Sequence, residues 1–205
     1  MLDKSIREFT ELTASKLPVP GGGGVSALTG SLAASLAEMV TSLTTGKKRY
    51  AEYEDEIQQI MKETDDLRIK LLEGINRDAE AFAPLARAYA MDRNDPGYGE
   101  TMESCLRTAA VTPLAILKLC CRVVELDERL AVIGSKLAVS DAATSAMLAH
   151  GAIYGAAINV RVNTRLMKDR DYAEKLDRET EQLRDEYAGR ALACYRAIEK
   201  RLTNG

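Results

Sequence analysis

The sequence is poor in the residues that build metal centres and large aromatic surfaces: it has no tryptophan, two phenylalanines and one histidine. His150 and the four cysteines fit no zinc-ligand spacing, so we predict no metal site. The cysteines are Cys105, Cys120, Cys121 and Cys194. A polar segment rather than an apolar run follows Met1, so no secretory signal is predicted. We therefore expect a reduced, cytoplasmic setting.

The chain also lacks an excess of charge of one sign and an unbroken apolar run. Its 28 basic and 31 acidic residues give a net charge of −3, which argues against nucleic-acid binding by counterion release. Residues 17–37 carry no charge and are long enough to cross a bilayer, but they contain two prolines and five glycines. We expect a loop and a buried helix of small residues there, and no membrane partner.

No segment shows a sustained period of two, so helical spacing dominates the chain. The sequence predicts an all-α, single-domain helical bundle of about six helices over residues 1–205. The predicted helices cover residues 2–15, 24–44, 50–91, 100–128, a segment that begins at the N-cap pair Ser140-Asp141, and 169–202. Pro113 is expected to kink the fourth helix, because it removes one backbone hydrogen bond.

Two prolines and four glycines precede the second helix, in the order Pro18-Val19-Pro20-Gly21-Gly22-Gly23-Gly24. The glycine run (residues 21–24) is neither a dinucleotide fingerprint nor a P-loop, since no strand precedes it and no lysine follows at the required spacing. One interpretation is a linker or a tight turn. The other is a loop whose free N–H groups, at the start of a helix, favour an anionic or carbonyl-bearing ligand.

Three cations, Lys47-Lys48-Arg49, follow Gly46 at the end of the second helix. Cations are common at helix C-termini, where they complement the dipole and stay solvated. The alternative is that they bind an anion beside the glycine run.

Asp78 interrupts the apolar seam of the third helix, on which heptad spacing also places Ile57, Leu71 and Leu85. A carboxylate that points inward is costly unless it is paired or hydrogen-bonded. Frayed packing after Gly74 is one explanation, and a functional acid is the other. Asp78 is the best single indication of chemistry in the chain.

On the fifth helix, Gly151, Gly155, Asn159 and Asn163 recur every four residues and share one face. Asparagine is a poor helix former, so two asparagines on one face require partners. Either they form a hydrogen-bond ladder between helices or they present amide groups to a ligand.

Several motifs in this order resemble the family of formiminotransferase-cyclodeaminase C-terminal domains and free-standing methenyltetrahydrofolate cyclohydrolases. They are Pro18-Val19-Pro20-Gly21-Gly22-Gly23, Thr44-Thr45-Gly46-Lys47-Lys48, Asp78-Ala79-Glu80-Ala81-Phe82, Pro113, and Ser140-Asp141 with Gly155-Ala156 and Asn159-Val160-Arg161-Val162-Asn163. The resemblance covers nearly the whole chain. It implies an all-helical homodimer that acts on one-carbon-loaded tetrahydrofolates, with or without a polyglutamate tail.

The resemblance implies that the chain hydrolyses 5,10-methenyltetrahydrofolate to 10-formyltetrahydrofolate without a cofactor. The four-glycine run favours this branch, because cyclodeaminases look to carry Ser at the position of Gly24. The expected catalytic residues are Asp78 as base, Lys47 as acid or as a grip on the glutamate tail, and Asp141. The expected substrate-binding residues are Pro20, Gly21, Gly22, Gly23, Gly24, Lys48, Ser140, Asn159 and Asn163. Cyclodeaminase activity, with release of ammonia, is the alternative, and a non-catalytic helical scaffold that forms oligomers is a third.

Overall fold

A computed structural model describes residues 1–204 and shows a bundle of six α-helices. The helices are α1 (Ile6–Thr13), α2 (Gly22–Ser42), α3 (Glu54–Tyr89), α4 (Tyr98–Ile133), α5 (Val139–Thr164) and α6 (Arg170–Thr203). A 3₁₀ helix, Lys48–Tyr53, precedes α3. Residues 1–204 contain no strand. The predicted all-α class and the helix count are confirmed.

Small side chains let α2 and α5 pack closely along most of their length. The buried alanines of α2 are Ala27, Ala33, Ala34 and Ala37, and those of α5 are Ala142, Ala143, Ala146, Ala149, Ala152, Ala156 and Ala157. The Ser145 hydroxyl donates a hydrogen bond to the Ala33 carbonyl at 2.8 Å, while Asn159 lies beside Gly22. The two helices are therefore antiparallel, and the start of α2 lies next to the C-terminal part of α5.

The long helix α4 runs through the middle of the bundle and contacts α2, α3, α5 and α6. It supplies the larger apolar side chains of the core, among them Ile116, Leu117, Val123 and Leu130. α4 continues through Pro113, as α3 does through Pro84. Packing of both helices against their neighbours offsets the backbone hydrogen bond that each proline removes.

The third helix begins later than predicted. Residues 48–53 form the 3₁₀ helix, whose first turn is closed by the Tyr50 N–H donating to the Lys47 carbonyl. The α-helix starts at Glu54. The apolar periodicity that begins at Tyr50 does not distinguish a 3₁₀ turn from the first turn of an α-helix.

Ser140 and Asp141 are not N-cap residues, which corrects the predicted start of the fifth helix. α5 begins at Val139, after Ala138, and has no side-chain cap. A turn closed by the Ala138 N–H donating to the Ser135 carbonyl starts the helical geometry earlier. Asp141 instead lies in the first turn, where a carboxylate complements the helix dipole.

The uncharged stretch 17–37 is a loop followed by most of α2, as predicted. Its helical part buries glycine, serine and alanine residues against the neighbouring helices. None of the helices in residues 1–204 is both long and apolar enough to span a membrane.

Candidate active site

The start of α2, the second half of α3, the middle of α4 and the end of α5 enclose a cleft of about 140 Å³. The cleft brings together six of the residues predicted for the site: Gly21, Gly22, Gly23, Asp78, Asn159 and Asn163. Its remaining walls are formed by Pro18, Val19, Phe82, Ala109, Pro113 and Val162. Residues from four separate segments thus converge on one small space.

The Asp78 carboxylate lies against the first turn of α2. It accepts a hydrogen bond from the Gly24 N–H, and a Cβ built on Gly23 would lie only 2.5 Å from Asp78 Cγ. Gly21, the N-cap of α2, has no side chain to bond the helix start. Asp78 therefore caps α2 from the neighbouring helix, which explains how an acid is tolerated on the apolar seam of α3.

The environment of Asp78 makes it more basic than an ordinary aspartate. Burial raises its pKa, and the hydrogen bond from the Gly24 N–H opposes only part of that effect. The side chain is half-buried and still borders the cleft. A carboxylate in this condition is suited to take a proton from a bound water molecule.

The two asparagines form a ladder and also border the cleft. Asn159 Nδ2 donates to the Gly155 carbonyl at 2.7 Å. Asn163 Nδ2 donates to the Asn159 carbonyl at 2.9 Å and to the Ala109 carbonyl of α4 at 3.1 Å. Gly22 leaves room for this arrangement, because a Cβ there would lie 2.8 Å from Asn159 Nδ2. The hydrogen bond between helices is therefore present, and the binding of a ligand by these amides stays a prediction.

Pro20 and Gly24 lie behind the cleft. Pro20 and Gly24 are both buried, and a Cβ on Gly24 would lie 3.5 Å from Pro20 Cβ. Their place in the structure is to support the wall that carries Gly23 and Asp78.

Lys47 and Lys48 lie far from the glycine run, so the expectation that they sit beside it is wrong within one chain. The 21 residues of α2 separate them from the run, which at 1.5 Å per residue is about 30 Å. Both lysines are exposed. The same distance separates them from Asp78, which caps the opposite end of α2.

Ser140 and Asp141 also lie at the far end, in the first turn of α5. The Ser135 N–H donates to Thr44 Oγ1 at 2.8 Å, which places the connection between α4 and α5 beside the end of α2. Asn159 and Asn163 are at the other end of α5. One chain therefore groups its predicted site residues at two opposite ends of the bundle.

Sequence reasoning did not place Phe82, Ala109 or Val162 in the site. Phe82 follows Asp78 by one helical turn, so helical spacing already placed it on the same face as Asp78. Val162 directly precedes Asn163, and spacing gave no indication that it lines the cleft. Ala109 carried no such signal, because its part in the site is a backbone carbonyl.

Known proteins match this chain in sequence and in fold along nearly all of its length. The family described as formiminotransferase-cyclodeaminase matches residues 5–182. The chain belongs to this family. The resemblance to this family that the motifs around Asp78 and Asn163 indicated is confirmed.

The proteins that match this chain carry two named activities. The methenyltetrahydrofolate cyclohydrolase of Methylorubrum extorquens is 33% identical over 98% of both chains. The formimidoyltransferase-cyclodeaminase of Mus musculus is 26% identical over 98% of this chain, which matches only 38% of the mouse protein. The crystal structure of formiminotetrahydrofolate cyclodeaminase from Thermotoga maritima superposes with a TM-score of 0.82 at 29% identity, over 97% of this chain and 95% of the other.

Proposed function

We propose that the protein is a methenyltetrahydrofolate cyclohydrolase, which converts 5,10-methenyltetrahydrofolate to 10-formyltetrahydrofolate. The observation that carries the proposal is a half-buried carboxylate, Asp78, in one cleft with the amides of Asn159 and Asn163. Full-length similarity to the cyclohydrolase of Methylorubrum extorquens supports this activity.

The chemistry needs a base at the position of Asp78. In the substrate the reactive carbon lies between two nitrogens that share a positive charge. As water attacks, a C–O bond forms and Asp78 takes the water proton, while its negative charge stabilises the cation. The C–N bond to N5 then breaks as the new hydroxyl oxygen becomes the formyl carbonyl on N10. The hydroxyl loses its proton and N5 gains one, so the net reaction releases only the proton that Asp78 took. The amides of Asn159 and Asn163 hold the pterin ring, whose edge carries both donors and acceptors.

A second copy of the chain completes the site in this proposal. The cleft of about 140 Å³ is smaller than the 300–1,000 Å³ of typical sites for ligands of this size. Lys47, Lys48, Ser140 and Asp141 face solvent or lie half-buried at the other end of the bundle. A homodimer in which two α2 helices run antiparallel places the Lys47 end of one copy beside the cleft of the other.

Exposed apolar side chains support such an interface. Leu32 and Met39 of α2 and Leu43 directly after it are 44–51% exposed, and Ile158 of α5 is 59% exposed. Val162 is exposed as well and lines the cleft, so the apolar surface continues into the site. In the dimer, Lys47 supplies the proton for N5 or binds the glutamate tail, and Lys48 adds charge for a polyglutamate tail. Asp141 and Ser140 then bond the substrate from the partner side.

Formimidoyltetrahydrofolate cyclodeaminase is the second candidate. The fold match to the Thermotoga maritima enzyme favours it, and the same carbon and the same two nitrogens react. There N5 carries the formimino group, N10 attacks its carbon, and ammonia leaves after protonation. Asp78 would take the N10 proton. We propose a cytoplasmic location for either activity, which the four unpaired cysteines support.

Two parallel assays decide among these functions. The protein is mixed with 5,10-methenyltetrahydrofolate and the decay of its chromophore is followed, and it is mixed with 5-formiminotetrahydrofolate and ammonia is measured. We expect decay well above the buffer rate in the first assay. Ammonia release without enhanced decay selects the cyclodeaminase. Two reactions at the buffer rate support the non-catalytic scaffold instead.

A further inference from the structure

Pro113 leaves one backbone carbonyl of α4 without its helical partner. A residue with an N–H at position 113 would donate to the carbonyl of Ala109, four residues earlier. Proline has no N–H, so this carbonyl is free to accept elsewhere. Pro113 and Ala109 both line the cleft, which means that the freed carbonyl lies at the edge of the site.

The freed carbonyl is used by Asn163. Asn163 Nδ2 donates to Ala109 O at 3.1 Å and to Asn159 O at 2.9 Å. A primary amide has two N–H groups, so both are engaged. Turning the amide over would direct Asn163 Oδ1 at two carbonyl oxygens, which repel it. The orientation of the amide is therefore fixed by its surroundings.

Because the position of Asn163 Nδ2 is fixed, the position of Asn163 Oδ1 is fixed as well. Within residues 1–204 Asn163 Oδ1 has no hydrogen-bond partner, and it is not among the fully buried unpaired atoms. Asn163 itself lines the cleft. The oxygen is thus a preoriented acceptor that a ligand N–H reaches without reorganising the amide.

We infer that Pro113 is a positioning residue, which acts through the Ala109 carbonyl to hold Asn163 Oδ1 as an acceptor for a ring N–H of the substrate. The inference rests on the proposed folate activity, because the pterin ring supplies the N–H donors. It assigns to Pro113 a role in substrate binding rather than in bond breaking.

Pro84 offers a matched control. It lies inside another 36-residue helix, α3, and frees the carbonyl of Glu80 in the same way. No side-chain amide donates to Glu80 within the described chain, and Pro84 does not line the cleft. Replacing each proline by alanine restores one helical hydrogen bond, but only the change at position 113 competes with Asn163.

The test is a double-mutant cycle on KM and kcat. Pro113→Ala is expected to raise KM about tenfold, the effect of losing one well-placed hydrogen bond, with kcat changed less than about threefold. Pro84→Ala leaves both constants near wild type. In the Asn163→Ala background, Pro113→Ala adds no further rise in KM, because the group through which it acts is gone.

Two results overturn the inference. One is an unchanged KM in Pro113→Ala, and the other is the same rise in KM with and without Asn163, which would assign Pro113 to packing alone. Should Pro113→Ala not fold, Asn163→Asp tests the same point, since it keeps an acceptor but has no N–H to hold it. A wild-type KM for that variant overturns the inference too.

A readout independent of activity separates the inference from the proposed function. Exchange of the Asn163 side-chain amide protons, followed by NMR, is expected to be faster in Pro113→Ala and unchanged in Pro84→Ala. Unchanged exchange in Pro113→Ala overturns the positioning role. Wild-type protein that neither binds nor converts either folate overturns the proposed function and its substrate, while the exchange rates still decide whether Pro113 holds Asn163.

Discussion

The carboxylate of Asp78 occupies the space that a side chain at position 23 would need. A Cβ on Gly23 would lie 2.5 Å from Asp78 Cγ and 2.6 Å from Asp78 Oδ2. Backbone conformation does not explain this glycine, because the one positive φ among the described glycines belongs to Gly46. The glycine is required by its neighbour. The first turn of α2 and the Asp78 side chain therefore depend on each other for their positions.

Gly23→Ala is expected to reduce kcat more than about tenfold, because Asp78 must move by more than an ångström to relieve the overlap, and misplacement on this scale is costly in catalysis. The fold should persist, since the change is confined to one helix end. Gly189→Ala on α6, where a Cβ meets no atom within 4 Å, is the control. Steady-state kinetics and thermal melting of both variants check this. Wild-type kcat in Gly23→Ala would contradict the close packing of the two residues.

Asp78→Asn is expected to bind folate but to lose most turnover, by about 10²-fold or more, since the amide cannot take the water proton. The side chain keeps its shape and an oxygen that accepts from the Gly24 N–H. Equilibrium binding measured beside single-turnover rates tests the assignment. Normal turnover would show that another group is the base.

The pH dependence of kcat/KM reports the protonation of the same residue. Burial raises the pKa of Asp78, and the base acts as the carboxylate, so activity is full above the raised pKa and falls as the pH drops through it. The ordinary pKa of aspartate is about 4, and we expect the acidic limb of the profile to lie above that value. An acidic limb at or below that value would contradict the effect of burial. The limb should be absent from the residual activity of Asp78→Asn.

Periodicity revealed Asp78 and the asparagines because each departs from what its helix face should carry. An acid on the α3 seam and two amides one turn apart on α5 are both local signals. The separation of Lys47 from Gly23 was also readable, since a predicted helix of some 20 residues spans about 30 Å. The order of motifs along the chain suggests that Lys47 and Gly23 are neighbours, but order alone carries no distance.

Other parts of the site depend on contacts between distant segments, which spacing does not encode. Asn163 meets the Ala109 carbonyl across 54 positions of the sequence. Pro113 indicated a lost hydrogen bond, but the group that replaces it comes from another helix. The packing of α4 against α5 decides that partner.

Subunit complementation tests the proposed dimer. Lys47→Ala and Asp78→Asn are each expected to be nearly inactive alone. If Lys47 of one copy serves the cleft of the other, mixing and refolding the two variants creates dimers in which one of the two sites has both residues. Because half of the dimers are mixed, about a quarter of wild-type activity should return. Activity that stays at the level of the separate variants would contradict a site shared between the two copies, and a fully active Lys47→Ala variant would place Lys47 outside the site.

Asp127 is a second buried acid, located in the core between α4 and α5. It is fully buried, and its Oδ1 has no hydrogen-bond partner. Ser145 Oγ lies 2.8 Å from both Asp127 Oδ2 and the Ala33 carbonyl. A hydroxyl has one proton, and the carbonyl can only accept it. With the hydroxyl proton on the Ala33 carbonyl, the contact between Ser145 and Asp127 needs a proton on Asp127, so we expect this acid to be protonated in the folded protein.

Burial raises the pKa of Asp127 well above its usual range, so the folded protein retains a proton that the unfolded chain releases near pH 4. The contribution of Asp127 to the free energy of unfolding is therefore fully present below that pH. It falls by about 1.4 kcal/mol per pH unit as the pH rises toward the raised pKa. Asp127→Asn cannot ionise and still donates to Ser145, so its free energy of unfolding should lack this slope and exceed that of wild type at pH 8. Asp66→Asn, on the exposed face of α3, should keep the wild-type slope. Urea unfolding at several pH values measures the effect, and equal slopes in Asp127→Asn and wild type would show that Asp127 is ionised in the fold.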